Sequence, residues 1–318
     1  MNISDIRPKN YDEQRLLAYE NDVQRYRSQK SDFQLRNCPG CGCENSDFFA
    51  NVDGFNFNKC DACFTIYMNP GPTLAMVDEF YRNSANYEYW SKFIYPLTRI
   101  SRRSTLHKSR ALFVISEIQN HFDSSPILNV LEIGAGTGDS LAVLRENYPQ
   151  PIKAFAVEPN PSMWEALREN GVTVLQDILS LENEIDIVLG FEVLEHFLNP
   201  SEFFQICKSV LKPNGMVAIS TPNAHSLEVL QLKDKSTTLD IEHISVLTPS
   251  AMHVLSERNE FKVQSITTPG SFDVELLETE EGTIQLQIGD EKVPQDSLQR
   301  IIQDFRISSN MRVVFTKK

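Results

Sequence analysis

An α/β fold, with a parallel sheet covered by helices on both faces, is what residues 127–221 of this 318-residue chain predict. Short apolar runs at 127–133, 153–158, 172–175, 185–190 and 216–221 alternate with amphipathic segments near 139–147, 161–170 and 201–211. Strands buried on both faces read as such continuous runs. The stretch Val130-Leu-Glu-Ile-Gly-Ala-Gly-Thr-Gly138 then joins the first run to the first helix through a glycine turn, the way such sheets present a nucleotide-like ligand to a helix start. Asn199-Pro-Ser201 opens the third helix and Lys212-Pro-Asn-Gly215 closes it, with capping residues and glycine at the expected places.

The length allows one large α/β domain with additions, or two domains, and a hydrophobic content of 41% supports a real core. The formal charge of −13 sets 43 acids against 30 bases. Such a field repels nucleic acid and anionic membranes, so neither is expected as a partner. With no charged leader before an apolar run and no apolar stretch of membrane-spanning length, the expectation is a soluble, cytoplasmic protein.

In chain order, residues 1–35 read as a polar N-terminal helical segment, with Leu16, Leu17, Val23 and Tyr26 spaced loosely as a helix after Asp12. Residues 36–70 carry Cys38-Pro-Gly-Cys41-Gly-Cys43 and, later, Cys60-Asp-Ala-Cys63. Two Cys-x-x-Cys pairs with 18 residues between them suit one tetrahedral zinc ion, because each pair makes a tight turn that brings two thiolates to the metal. Cys38, Cys41, Cys60 and Cys63 are the expected ligands of this zinc ribbon. Cys43 is a spectator or a substitute for Cys41, its one-residue spacing making a poorer chelate. Four thiolates close the coordination sphere, so the zinc is expected to be structural.

The turn Tyr67-Met-Asn-Pro-Gly-Pro-Thr73 leads into residues 71–122, which continue as helices, the longest from Leu97 to His121. Leu106, Phe113 and Val114 share one face of it, while Arg99, Arg102, Arg103, Lys108 and Arg110 crowd its first half. Aromatics and arginines ahead of a cofactor domain suggest a helical lid. The basic cluster either binds a substrate phosphate or is a solvated face that offsets nearby acids.

The remaining domain spans 123–318. Gly134, Gly136 and Gly138 alternate, whereas a dinucleotide fingerprint has its third glycine one position later, which disfavours NAD. Glu132 precedes the turn, and Glu158 ends the run Lys153-Ala-Phe-Ala-Val-Glu158, placed to accept two ribose hydroxyls. In these residues the chain resembles the class I S-adenosylmethionine methyltransferases, whose first motif is an acid, one residue, then Gly-x-Gly-x-Gly; Glu132-Ile-Gly-Ala-Gly-Thr-Gly138 matches it throughout. The resemblance implies a Rossmann-like, seven-stranded sheet. It also implies S-adenosylmethionine as cofactor, held by Glu132, Gly134, Ala135, Gly136, Gly138, Glu158 and Pro159, with Asp177 or its neighbour Ile178 against the adenine amino group. Glycines let the backbone approach the ligand, and acids suit its amine, its hydroxyls and, at longer range, its cationic sulfur. Asp177 reads equally well as a turn cap.

Asp186-Ile-Val-Leu-Gly-Phe-Glu-Val-Leu-Glu-His-Phe197 resembles the fourth motif of small-molecule methyltransferases, where a strand ends beside the methyl group. Glu192 stands at the carboxyl end of that strand, where open sheets bind ligands. His196 then acts as a base or packs on the cofactor. Further on, Asp240-Ile-Glu242-His243 precedes a Thr-Pro helix start. A cysteine ribbon before the cofactor domain, an Asn-Pro-x-Pro turn, tyrosines in the lid and a Glu-His pair together look like bacterial methyltransferases of sugar and glycan biosynthesis. By that resemblance Glu242, His243 and either Tyr87 or Tyr89 remove a proton next to a ketone. Oxygen and nitrogen acceptors remain open.

Phe261–Ile266 and Arg312–Phe315 supply the last two strands, an antiparallel hairpin by the same resemblance. The segment 270–308 between them, with the acidic run Glu275 to Glu281 and a helix from Gln295 to Phe305, is longer than a hairpin loop. It reads as an insertion over the site or at a homo-oligomer interface. The functional expectation is methyl transfer to a small polar acceptor such as a nucleotide-linked sugar. The alternatives are an RNA methyltransferase with a zinc ribbon and a ligand-sensing module without turnover.

Overall fold

The computed structural model describes residues 3–8, 11–122, 127–279, 282–283, 287–288 and 291–318. The N-terminal half holds α1 (Asp12–Ser28), β1 (Ser46–Val52), β2 (Phe55–Cys60), β3 (Ile66–Met68), α2 (Leu74–Asn83), α3 (Ala85–Tyr89), α4 (Tyr95–Arg102) and α5 (Lys108–His121). Strands and helices then alternate as β4 (Leu128–Ile133), α6 (Asp139–Asn147), β5 (Ile152–Val157), α7 (Trp164–Glu169), β6 (Thr173–Val174), β7 (Ile185–Phe191), α8 (Pro200–Val210) and β8 (Leu211–Pro222). After them come α9 (Leu227–Leu232), β9 (Ser245–Val246), α10 (Pro249–Arg258) and β10 (Phe261–Thr267). The chain finishes with α11 (Asp273–Leu276), two hairpins of β11 (Glu278–Thr279) with β12 (Gly282–Thr283) and β13 (Gln287–Ile288) with β14 (Glu291–Lys292), then α12 (Gln295–Asp304) and β15 (Asn310–Lys317).

Seven strands form the main sheet in the order β10-β15-β8-β7-β4-β5-β6. The five from β8 to β6 are parallel, while β15 runs antiparallel to both β8 and β10. The mostly parallel, Rossmann-like sheet is therefore the one the alternating pattern requires. Its apolar runs are buried on both faces because each is covered. Leu131, Val188, Val217, Ile219 and Phe315 meet Phe203 and Phe204 of α8 and Leu255 of α10 on one side. Val130, Ile187 and Leu189 meet Val114 and Ile118 of α5 and Leu141 and Leu144 of α6 on the other.

Three local features depart from the simple reading. Lys212-Pro-Asn-Gly215 does not cap a helix: α8 stops at Val210, and the four residues enter β8 as an irregularity between the pairs Ile185↔Leu211 and Ile187↔Met216. Asn214 takes up the extra length at φ 63°. The lid is one helix from Ala85 to His121, in which π turns at Trp90–Ile94 and Arg103–His107 join α3, α4 and α5. The first π turn precedes Pro96, which has no N–H for a helical bond. The cysteine-bearing sheet, order β1-β2-β3-β9, is completed by Ser245 and Val246, whose partners on β3 are Tyr67 and Ile66.

The insertion has a small core of its own, Val274, Leu277, Leu298 and Ile302. Buried Asp273 fastens it, accepting from Ser308 Oγ at 2.7 Å and Gln299 Nε2 at 2.6 Å. Glu280 and Glu281 of the acidic run lie outside the described residues. Among the described residues, no helix is long and apolar enough to cross a membrane.

Phe204 is fully buried, with edge-on contacts to Phe203 and to Phe315 at ring separations of 5.8 and 5.0 Å. Phe204→Ala is expected to lower the unfolding free energy by about 3–5 kcal/mol, read from urea titration. A loss under about 1 kcal/mol would contradict this packing between α8 and the sheet.

Candidate functional site

The cysteines come together as their spacing demands. Cys38, Cys41, Cys60 and Cys63 place their ligand atoms within 4.8 Å of one another. Cys38 Sγ lies 3.5 Å from Cys63 Sγ, and Cys41 Sγ lies 3.5 Å from Cys60 Sγ. Four sulfurs gathered this way fit one tetrahedral ion such as zinc. Cys43 stands outside the group, its Sγ 3.7 Å from the Asn45 carbonyl.

At the carboxyl ends of β4 and β5 the glycine turn opens the second cluster. Gly134, Gly136 and Gly138 all have positive φ, at 68°, 52° and 78°. A methyl at Gly134 would lie 2.6 Å from Val193 Cγ2 and one at Gly138 would lie 2.8 Å from Leu167 Cδ2, so packing as well as conformation demands glycine. Gly136 is different: its open side has nothing within 4 Å, a cradle for a ligand rather than for a side chain. Its N–H donates to Glu158 Oε2 at 2.8 Å, and Asn160 N–H donates to Glu158 Oε1 at 2.9 Å. Burial nevertheless holds the Glu158 carboxyl above its usual range. Glu132 is buried, its Oε2 has no hydrogen-bond partner, and burial pushes its pKa up to about 8. Pro159 and Asp177 are exposed at the rim, and Ile178 packs against the core.

Beyond β7 the chain turns sharply at Glu192, φ 56°. Glu192 Oε1 accepts from Arg110 at 3.1 Å, Ser220 Oγ at 2.5 Å and Asn310 Nδ2 at 2.9 Å. Burial alone would raise its pKa, but Arg110 and these donors hold it below the carboxylate range. Glu195 is the opposite case. Burial and then the Glu192 charge push it up to about 8, and its Oε1 has no partner.

Glu195, His196 and His243 place one ligand-type atom each within 4.8 Å of one another. The two imidazoles lie 5.2 Å apart, inclined by 32°. Each Nδ1 is paired with a carbonyl, His196 with Glu242 O at 2.9 Å and His243 with Thr238 O at 2.8 Å, which leaves both Nε2 atoms free of those contacts. Their protonation diverges. Burial and then His243 hold His196 down to about 4. For His243 burial acts in the same direction, but Asp240, Glu195 and Glu242 outweigh it and raise the value to about 9. Burial and Asp240 push Glu242 up to about 7, and its Oε1 accepts from Asn86 Nδ2 at 2.6 Å.

The lid tyrosines separate. Tyr87 stacks edge-on with Tyr81 at 5.5 Å, Tyr81 with His196 at 5.5 Å, and burial followed by the Glu242 charge keeps the Tyr87 hydroxyl protonated far above its usual range. Tyr89 turns away, its ring 5.0 Å from Phe93 and its hydroxyl 3.5 Å from Tyr11 O. The basic cluster is spent on acids and rings. Arg99 and Arg103 hold Asp139, Arg103 also holds Glu146, Arg110 holds Glu192, and Arg102 lies over Trp90 and Tyr95. Tyr81, Asn86 and Thr238 belong to the site without any local motif to announce them, whereas Asp240 is visible beside Glu242 and His243. An acid three residues before His243 is the one signal the sequence offered.

Residues 91–266 match the family described as Methyltransferase domain, and the chain belongs to that family. Among its relatives is the ubiquinone biosynthesis O-methyltransferase of Roseobacter denitrificans, 26% identical over 166 residues, which are 48% of this chain and 65% of that protein. The Rickettsia felis protein of the same description is 32% identical over 123 residues, 36% of this chain and 49% of that protein. The chain thus spans about half to two thirds of the length of these curated relatives. A magnesium protoporphyrin IX methyltransferase from Synechocystis PCC 6803, solved with bound SAH, is 13% identical at a TM-score of 0.48, covering 77% of this chain and 100% of that one.

The residues present fit S-adenosylmethionine. Glu132 offers an unpartnered buried oxygen to a cationic ligand, Gly136 an open cradle, and Glu158 two acceptor oxygens at the end of β5. Glu158→Ala is expected to weaken cofactor binding at least tenfold in calorimetry while the far-ultraviolet circular dichroism stays unchanged. Metal analysis of the purified chain is expected to find one zinc, lost in Cys60→Ser; a zinc-free yet fully folded chain would remove the metal from the account.

Proposed function

We propose that this chain transfers the methyl group of S-adenosylmethionine to a small polar acceptor, with a nucleotide-linked sugar or glycan precursor as the leading class. The observation that carries the reading is the imidazole pair His196 and His243, held by carbonyls at Nδ1, next to the strand ends that bear Glu132 and Glu192. S-adenosylmethionine, when bound, supplies an electrophilic methyl group on a cationic sulfur. What remains for the protein is to hold the acceptor in line and to take its proton.

In this reading Glu132, Gly134, Ala135, Gly136, Gly138, Glu158, Pro159, Asp177, Ile178 and Glu192 hold the cofactor. Cys38, Cys41, Cys60 and Cys63 hold a structural zinc. His243 is the base, with Glu242 and Asp240 strengthening its hold on the proton it receives. His196, neutral over the physiological range, shapes the pocket. The Tyr87 hydroxyl, kept protonated, is the donor available to an oxyanion that develops on the acceptor. Tyr89, facing Phe93, is the weaker of the two tyrosines for that role.

The names of the curated relatives, O-methyltransferases of ubiquinone biosynthesis, favour a second acceptor class, an oxygen of a quinone precursor, for which simple phenols serve as the probe. An RNA acceptor loses its support, because the arginines of residues 99–110 already meet acids and aromatic rings.

The test is mass spectrometry after incubation with deuteromethyl S-adenosylmethionine and a panel of nucleotide-linked sugars, keto sugars among them, alongside simple phenols. Label on a sugar is expected, and loss of carbon-bound hydrogen to solvent would identify a carbon acceptor. Label confined to phenols moves the acceptor to that class; no label anywhere overturns the reading. His243→Ala is expected to keep cofactor affinity and lose about 10²–10⁴ in turnover. The raised value of His243 means that the base form is the minority at neutral pH and grows as pH rises. Turnover should therefore increase about tenfold from pH 7 to 8 and level off near 9. A profile flat over that range would assign the base to His196.

A further inference from the structure

We propose that Arg36, in the segment leading into the cysteine-bearing sheet, is the positioning residue that sets the separation of His196 and His243. The inference rests on the functional reading above only for the role of the two histidines. The contacts themselves are independent of it.

One guanidinium reaches three segments far apart in the chain. Arg36 Nε donates to Met68 O at 3.0 Å on β3. One terminal nitrogen donates to Leu198 O at 3.1 Å, two residues after His196. The other donates to Ile244 O, the residue directly after His243, and to Ser245 Oγ at 3.1 Å. The group lies over the Tyr67 ring at 5.5 Å, and the Arg36 main-chain N–H donates to Asn69 Oδ1 at 3.1 Å. Among the described residues no carboxylate shares an ion pair with Arg36, so its charge is satisfied by carbonyl oxygens and a ring face.

A cation held by main-chain carbonyls from three segments acts as a rivet between them. The planar fork of arginine has five donors in fixed directions, and lysine's single ammonium cannot reproduce that span. Two of the three riveted segments end in a histidine of the pair. Leu198 belongs to the turn that presents His196, and Ile244 to the loop that presents His243. The third segment, β3, supplies the rigid reference. It is hydrogen-bonded to β9 through Tyr67↔Ser245 and Ile66↔Val246, Met68 N–H donates to Ile244 O at 3.1 Å, and Thr248 Oγ donates to Cys63 O at 2.6 Å. The cysteine-bearing sheet is thus bolted to the His243 loop, and Arg36 carries the connection on to the turn after His196, beside the direct bond of His196 Nδ1 to Glu242 O at 2.9 Å.

The test compares Arg36→Lys and Arg36→Ala with the full-length wild type. Zinc content and calorimetric affinity for S-adenosylhomocysteine serve as checks that the cysteine cluster and the cofactor cleft are intact. The expected result is that both are retained, while kcat falls by up to about a hundredfold and KM changes little. Methylguanidinium added to Arg36→Ala is expected to restore part of kcat. In nitrogen-15 spectra of labelled histidine, the two imidazoles are expected to lose their wide difference in titration. Unchanged imidazole spectra in Arg36→Lys would overturn the proposal, as would a fall in melting temperature with kcat per folded molecule unchanged. If no acceptor is ever methylated by the wild type, the functional reading fails, and the imidazole spectra still decide the role of Arg36.

Discussion

The carboxylate of Glu192, partly exposed but ringed by donors, is the point on which the rest of the structure depends. A charge removed from water must be paired and hydrogen-bonded, or its site will not hold it. One oxygen of Glu192 collects the guanidinium of Arg110 from the lid helix, the hydroxyl of Ser220 from β8 and the amide of Asn310 from β15. Those three elements come from opposite parts of the chain, and a single acceptor fixes where they meet. The positive φ of Glu192 turns the chain out of β7 at that point, so Glu195 and His196 form a short helical turn with Leu194 instead of continuing the strand. Breaking one donor strands the charge for all of them.

The same logic explains why neighbouring carboxyls behave so differently. Glu192 has donors and stays ionised, whereas Glu132 and Glu195 each keep a buried oxygen without a partner and hold their protons to about pH 8. Burial raises all three; the Arg110 charge, followed by the Ser220 and Asn310 donors, holds Glu192 down, while the Glu192 charge pushes Glu195 further up. A cation brought beside Glu132 would reverse its position, which is the property expected of a group that meets an amine or a sulfonium. His243 has the complementary problem. Surrounded by Asp240, Glu195 and Glu242, it keeps a proton that burial alone would remove. An acidic chain has concentrated its acids where one imidazole must be strongly basic.

How much of this could be read from the sequence follows from the range of each interaction. The glycine turn, the cysteine pairs and the parallel sheet are written in spacings of a few residues, because a tight turn, a chelate and a buried strand are local requirements. Glu242 and His243 were visible only as an adjacent acid and base. Their partner Asn86 is not, since a hydrogen bond across 156 residues leaves no period in the chain, and Thr238 pairs through its main-chain carbonyl, which no side chain announces. The arginines from 99 to 110 allow either a phosphate site or a face that offsets nearby acids, and the structure shows the second. Nothing local told that Asp139, at the start of α6, would take two of them. Lys212-Pro-Asn-Gly215 predicts a helix end, because an irregularity within a strand uses the same proline, asparagine and glycine.

Arg36 belongs to this long-range class, and its contacts change what the N-terminal module is for. A metal bound by these four thiolates would have no open coordination position, so the value of the cluster would lie in rigidity. Rigidity matters to chemistry only where it is transmitted. Here β3 pairs with β9 directly after His243, and the guanidinium two residues ahead of Cys38 reaches the turn that follows His196. At the opposite end of the chain, Asp273 ties the insertion to Ser308 and Ser309, and the next residue, Asn310, donates to Glu192. Both additions to the sheet therefore end in hydrogen bonds at its carboxyl edge. The parallel sheet supplies the crevice, and the segments added before and after it determine how firmly the side chains in that crevice are held.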